Sequence, residues 1–193
     1  MSSSSAPLST PEGPGSVSGA PNLPEGFTDT FTSRYIDTGE LRQHAVIGGE
    51  GPPLLLVHGW PENWYAWRLL MPELARDFEV IAVDQRGIGL TDKPQGGYDA
   101  GTLANDLVAL MDALGHERFA VVGHDTGYII GYALAADHPD RVDRVALAAD
   151  DRVLAQSTGV DVPARERVGE PRGEVRRAGD GAGAFRAGPW CRG

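Results

Sequence analysis

Residues 121–127 read VVGHDTG, in which a glycine, any residue, a reactive side chain, any residue and a second glycine follow an apolar run. Small residues at Gly123 and Gly127 permit a sharp strand-to-helix turn that pushes the middle side chain, Asp125, out above a sheet. A carboxylate, with a reference pKa of about 3.9, is ionised at neutral pH without any base to activate it. Its attack on an ester would give a reactive anhydride, whereas attack on a saturated carbon bearing an oxygen or halide leaving group gives an alkyl ester. Asp125 is therefore the expected nucleophile, acting on a small uncharged organic substrate, an epoxide or an alkyl halide. The backbone N–H of Thr126, at the start of the following helix, is placed to stabilise a developing oxyanion. The competing role for Asp125 is to cap that helix, worth about 1 kcal/mol, which leaves both glycines without a purpose. Water must then open the ester, and that step needs a histidine base, an acid to orient the histidine, and the oxyanion hole.

Such a turn needs a strand before it and a helix after it. RFAVVG at 118–123 is a buried-strand run, and TGYIIGYALAADH reads as a helix apolar nearly all round, expected to be buried centrally. Upstream, RYIDT and LRQHAVI are short strand-like pieces joined at Gly39-Glu40, while PLLLVHG at 53–59 and FEVIAVD at 78–84 are continuous apolar strands. In NWYAWRLLMPELAR the residues Trp64, Trp67, Leu70 and Leu74 share a helical face, with Pro72 starting a second short turn. GTLANDLVALMDALG carries one stripe of Leu103, Leu107, Leu110, Met111 and Leu114, with Thr102 as the expected cap and Gly115 as the stop. RVDRVALAA supplies a sixth strand. Apolar strands alternating with helices predict an α/β fold, a mostly parallel sheet with helices on both faces. In such a sheet ligands gather at the carboxyl ends of the strands, where HGWP, DQRG and GHDTG all fall.

Composition narrows the partners. The chain has 193 residues and a net charge of -10, which disfavours nucleic acid and anionic membrane surfaces. No segment has the length of a membrane span or signal sequence, and the single cysteine, Cys191, excludes an internal disulfide or a cysteine metal cluster, so a cytoplasmic protein is expected. No cofactor and no metal are expected; Gly87 and Gly89 lack the third glycine of a dinucleotide fingerprint. Residues 1–27, rich in Ser, Pro and Gly, read as a disordered arm, residues 28–150 as the folded domain, and residues 151–193 as a disordered tail rich in Arg, Gly and Ala without strand or helix period.

HGWPENWYAWR, DQRGIGLTDKP and VGHDTGYIIGYALAADHP, in that order over residues 34–149, resemble the first half of an alpha/beta-hydrolase of the epoxide hydrolase type, related to the haloalkane dehalogenases. The resemblance implies Asp125 as the nucleophile and the backbone amides of Trp60 and Thr126 as the oxyanion hole, with a cis Trp60-Pro61 bond. It also implies that Asp84 and Arg86 brace loops; their alternative is an exposed ion pair. His58 reads as a hydrogen-bonded core histidine. Dehalogenase relatives commonly place tryptophan directly after the nucleophile as a halide donor, and Thr126 stands there instead, favouring an epoxide.

The chain departs from that pattern after the sixth strand. The family's cap domain, acid and histidine follow it, whereas the histidines here are His44, His58, His116, His124 and His138, none of them later. Asp150 and Asp151 follow a strand end, but an acid without its histidine orients nothing. The abrupt change of composition after Asp150 matches a GC-rich gene translated out of frame. The expectation is thus a hydrolase truncated after its sixth strand, with the C-terminal half and cap missing and turnover impaired. Its final strand would be a bare edge open to self-association. Two alternatives stand beside it: a haloalkane or haloacid dehalogenase-like hydrolase, and a noncatalytic remnant or binding module.

Overall fold

The structure, a computed structural model, describes residues 10–149 and the strand at 152–157; residues 1–9, 150–151 and 158–193, and with them Asp150, Asp151 and Cys191, lie outside the described residues. Seven strands form one sheet: β1 (Thr32–Asp37), β2 (Arg42–Gly48), β3 (Pro53–Val57), β4 (Glu79–Val83), β5 (Phe119–His124), β6 (Val142–Ala149) and β7 (Arg152–Ser157). Their spatial order is β1-β2-β4-β3-β5-β6-β7. The four strands β4, β3, β5 and β6 run parallel at its centre, and the β1-β2 hairpin and β7 join antiparallel on either side. The expected α/β architecture is the one adopted.

The central strands are apolar on both faces because both faces are covered. In β3, Leu55 and Val57 point to one side and Leu54 and Leu56 to the other, as a period of two demands. On the first side lie the two long helices α3 (Ala100–Leu114) and α4 (Thr126–Asp137), contributing Leu107, Leu110, Met111, Ile130 and Leu134. On the second lie short pieces only: a 3₁₀ turn at Val17–Gly19, the single-turn helices α1 (Phe27–Thr30) and α2 (Met71–Leu74), and a 3₁₀ turn at Trp64–Trp67.

Several expectations need correction. The supposed disordered arm of residues 1–27 is ordered from residue 10 onward as far as it is described: Val17 is buried, its N–H donates to Ser33 Oγ, and Gly15 O accepts the indole N–H of Trp64. Its backbone groups find fixed partners, which composition alone does not reveal. Residues 152–157 form a strand where the sequence shows no strand period, so β6 is paired rather than bare. Over NWYAWRLLMPELAR the second short turn expected at Pro72 forms, as the single-turn helix with Pro72 in its opening residues, but the expected helix before it is only a 3₁₀ turn capped by Asn63, and Leu69 and Leu70 face solvent. Asp99, not Thr102, caps α3: its Oδ1 accepts the Thr102 N–H at 2.9 Å and its Oδ2 the Thr102 hydroxyl at 2.7 Å. Those bonds to the ionised form hold its carboxyl below the usual aspartate range. Gly115, at φ 86°, ends α3 as expected. In α4 Ile129 and Tyr132 are exposed, so this helix is buried along one side only.

Candidate active site

Asp125 stands between the end of β5 and the start of α4 with φ 54° and ψ -115°, a backbone conformation that residues with a Cβ rarely adopt. Its N–H donates to Ala148 O on β6 and its carbonyl accepts the Tyr128 N–H, so the turn is closed by backbone bonds on both sides. The side chain is exposed and makes no capping bond to α4. Its carboxylate therefore does not cap the helix. Both glycines are explained by space: a Cβ on Gly127 would overlap Val57 O and lie 2.8 Å from His58 O, and one on Gly123 would overlap Gly127 O. The turn thus presses against the end of β3.

The HGWP segment supplies the facing wall. The Trp60 N–H donates to Asp125 Oδ2 at 3.3 Å, and the Trp60-Pro61 peptide is cis. A Cβ on Gly59 would stand 2.6 Å from the Asp125 Cβ, which only glycine avoids. Thr126 opens α4, and as the first helical residue its N–H has no intrahelical acceptor. Asp125, Trp60 and Thr126 are thereby brought to one corner of the sheet, at the carboxyl ends of β3 and β5.

His58 is buried behind this corner. Its Nδ1 lies 2.8 Å from Gly59 O, and its Nε2 accepts the Gln85 N–H at 3.3 Å, an arrangement that requires the neutral ring with the proton on Nδ1. Burial pushes its pKa below the usual histidine value, against the opposing pull of the bond to Gly59 and the charges of Asp84 and Glu62. His58 is a structural core histidine, as its sequence context indicates.

The DQRG segment braces loops through buried contacts rather than through an exposed ion pair. Asp84 is fully buried: Oδ1 accepts the Trp64 N–H at 2.9 Å, and Oδ2 accepts the Leu90 N–H at 3.0 Å and lies 2.8 Å from His44 Nδ1. Arg86 forms a two-pronged pair with Asp106 of α3, at 2.6 and 2.7 Å, and that bond raises its pKa above the ordinary arginine value. Asp106 and Glu62, whose carboxylate accepts the Gly59 N–H at 3.1 Å, are partners that sequence reading missed. Glu62 had a readable signal, since a glutamate three residues after a turn position can reach back to its N–H. Asp106, inside the apolar stripe of α3, had none.

A cavity of about 330 Å³ opens beside the corner, lined by Trp60, Tyr98, Leu103, Thr126, Ile129 and Ile130 among others. Arg86 also lines it, with its charge committed to Asp106. Trp60 at 67% exposure and Ile129 at 58% form an apolar rim. The other histidines each face a partner of their own. His44 is buried against Asp84 and Ser33, His116 faces Glu79, His138 bonds Asn105, and His124 lies 3.7 Å from Glu62. Among the described residues no group of His, Cys, Asp and Glu could hold a metal ion, and no helix is long and apolar enough to cross a membrane.

Residues 52–164 match the family described as alpha/beta hydrolase fold. A soluble epoxide hydrolase of Corynebacterium sp. (strain C12) is 45% identical over 104 residues, covering 54% of this chain and 36% of the relative. A fluoroacetate dehalogenase of Burkholderia sp. is 42% identical over 122 residues, covering 61% and 40% respectively. The solved structure of the epoxide hydrolase CorEH without ligand superposes with a TM-score of 0.57 at 42% identity, over 61% of this chain and 41% of that one. The chain thus spans about two fifths or less of the length of these relatives.

Proposed function

The chain belongs to the alpha/beta-hydrolase fold family, and from that premise we propose that it carries the nucleophile half of an epoxide hydrolase-like site, with Asp125 as the attacking group. One observation carries the reading: Asp125 is held at a positive φ, exposed, uncapped, and bonded through Oδ2 alone to the Trp60 N–H. Backbone strain at an exposed strand-to-helix turn whose side chain serves no capping purpose supports a role in chemistry. In the reaction, Asp125 Oδ1 bonds a ring carbon of the epoxide, the ring C–O bond breaks, and the alkoxide takes a proton from water. Oδ2 becomes the carbonyl oxygen of the ester, facing the Trp60 and Thr126 amides that serve as the oxyanion hole.

The cavity favours uncharged substrates over haloacids, because Arg86 is neutralised by Asp106 and the rest of the lining is largely apolar. Thr126 after the nucleophile, in place of an indole donor, favours an epoxide over an alkyl halide. Opening the ester requires a base, and none of the five histidines hydrogen-bonds Asp125: His44, His58 and His138 are bonded elsewhere, His116 faces Glu79, and His124 lies 3.7 Å from the Glu62 carboxylate. The described residues therefore form the ester and retain it. Intact mass spectrometry after incubation with styrene oxide tests this. One stable adduct that maps to Asp125 and is absent from Asp125→Asn is expected, and a wild-type chain that gains no mass sinks the reading in favour of a noncatalytic remnant.

A further inference from the structure

Gly59 has no side chain, yet three hydrogen bonds hold it in place. Its carbonyl accepts from His58 Nδ1–H at 2.8 Å and from the Glu62 N–H at 3.0 Å, and its own N–H donates to Glu62 Oε2 at 3.1 Å. Two of the three come from Glu62: a backbone turn bond across three residues, and a carboxylate that reaches back to the N–H at the start of the same turn. The Gly59 carbonyl and the Trp60 N–H belong to the same peptide plane and point in opposite directions, so fixing the one aims the other. What it is aimed at is Asp125 Oδ2. A carbonyl that accepts two bonds also polarises the N–H of its own peptide, making it a stronger donor. Glu62 Oε2 lies 3.7 Å from Nδ1 of His124, the residue before Asp125; this is too long for a hydrogen bond but places one carboxylate against both turns of the site.

We propose that Glu62 is a positioning residue that aims the Trp60 N–H at the Asp125 carboxyl, holding Oδ2 and leaving Oδ1 free to attack. The proposal rests on the reading of Asp125 as the nucleophile. Once the ester has formed, an attack on Cγ places negative charge on Oδ2, where the aimed N–H counts most.

The test uses the styrene oxide adduct and added hydroxylamine. The hydroxylamine nitrogen bonds Asp125 Cγ, the Cγ–O bond to the alkyl group breaks, and the departing alkoxide takes the proton released from nitrogen, leaving a hydroxamate and a free diol. Glu62→Ala should slow this release about tenfold, and Glu62→Gln, which keeps an acceptor for the Gly59 N–H, should stay within about twofold of wild type. Amide hydrogen exchange at Gly59 and Trp60, followed by NMR, should rise about tenfold in Glu62→Ala and return in Glu62→Gln. If Glu62→Ala does not fold, Glu62→Asp, one methylene too short to reach the Gly59 N–H, carries both measurements. Unchanged exchange overturns the clamp, and raised exchange with unchanged release overturns its role in the chemistry. A wild-type chain that forms no adduct overturns the nucleophile reading. Exchange then judges Glu62 separately: unchanged, it removes the clamp as well, and raised, it leaves a clamp with no reaction to serve, which overturns the positioning role.

Discussion

Asp84 and Asp125 stand at comparable places, each at the carboxyl end of a central parallel strand and each beginning a turn, yet the structure treats them in opposite ways. Asp84 is 0% exposed and surrounded by donors: two backbone N–H groups and the His44 imidazole. Asp125 is exposed and has one donor, at 3.3 Å. A carboxylate with both oxygens engaged is stabilised in its ground state and makes a poor nucleophile, whereas one with a single donor keeps an oxygen for attack. The difference lies in the neighbourhood. Around Asp84 the chain folds back twice, at Trp64 and at Leu90, and delivers N–H groups inward; around Asp125 the positive φ turns the side chain away from the helix that could have capped it.

The largest expected effect follows from emptying the crowded site. Asp84→Ala leaves the Trp64 and Leu90 N–H groups and His44 without their acceptor in a fully buried place, and should destabilise the fold by about 3–5 kcal/mol in urea denaturation. A change below about 1 kcal/mol would show that the donors find other partners and that the contrast is overdrawn. Gly127→Ala comes next. The new Cβ would meet backbone atoms of the β3 end rather than a flexible side chain, so a loss of about 2 kcal/mol is expected from overpacking. At Asp125 the sign reverses: Asp125→Gly removes the strain of the positive φ together with a side chain that packs on little, and should raise stability by about 1 kcal/mol while abolishing the adduct. A lowered melting temperature in this variant would mean that the carboxylate supports the turn.

Much of this contrast was legible beforehand. Apolar runs bounded by turns located six strands, and the glycine spacing around Asp125 located the turn, because a period and a pair of small residues are local signals. The signals that failed were the ones written elsewhere in the chain. Residues 10–27 look too polar and too poor in large side chains to fold, yet Val17 and the Gly15 carbonyl are fixed by Ser33 and Trp64, partners at sequence separations of 16 and 49. The pairing of Arg86 with Asp106 crosses from a loop to a helix, and the antiparallel addition of β7 to β6 depends on a register no composition encodes. Helical spacing puts Trp64 on an apolar face, and the structure buries it, but Leu70 of the same stripe is 56% exposed because the segment breaks into two short turns.

His58 joins the two neighbourhoods, since it accepts from Gln85, next to Asp84, and donates to Gly59, next to Asp125. It also supplies the smallest of these effects near neutral pH. Its pKa is lowered in the folded state, chiefly by burial, while in the unfolded chain it titrates near the ordinary value of 6.5. Above that pH the ring is neutral in both states and contributes no pH dependence. As the pH falls below it, the unfolded chain takes up a proton that the folded chain refuses, so stability declines until the pH passes the lowered folded value, beneath which the slope levels off. Carboxylates add slopes of their own in acid, so the measurement is a difference: urea midpoints at several pH values between about 7.5 and 5 for wild type and His58→Asn. The wild-type curve should fall more steeply across the upper part of this window, because Asn donates to Gly59 O without titrating. Parallel curves would mean that the ring takes up its proton in place, and with Nε2 then a donor facing the Gln85 N–H, the turn beside Asp84 and the peptide aimed at Asp125 could not both keep the geometry described above.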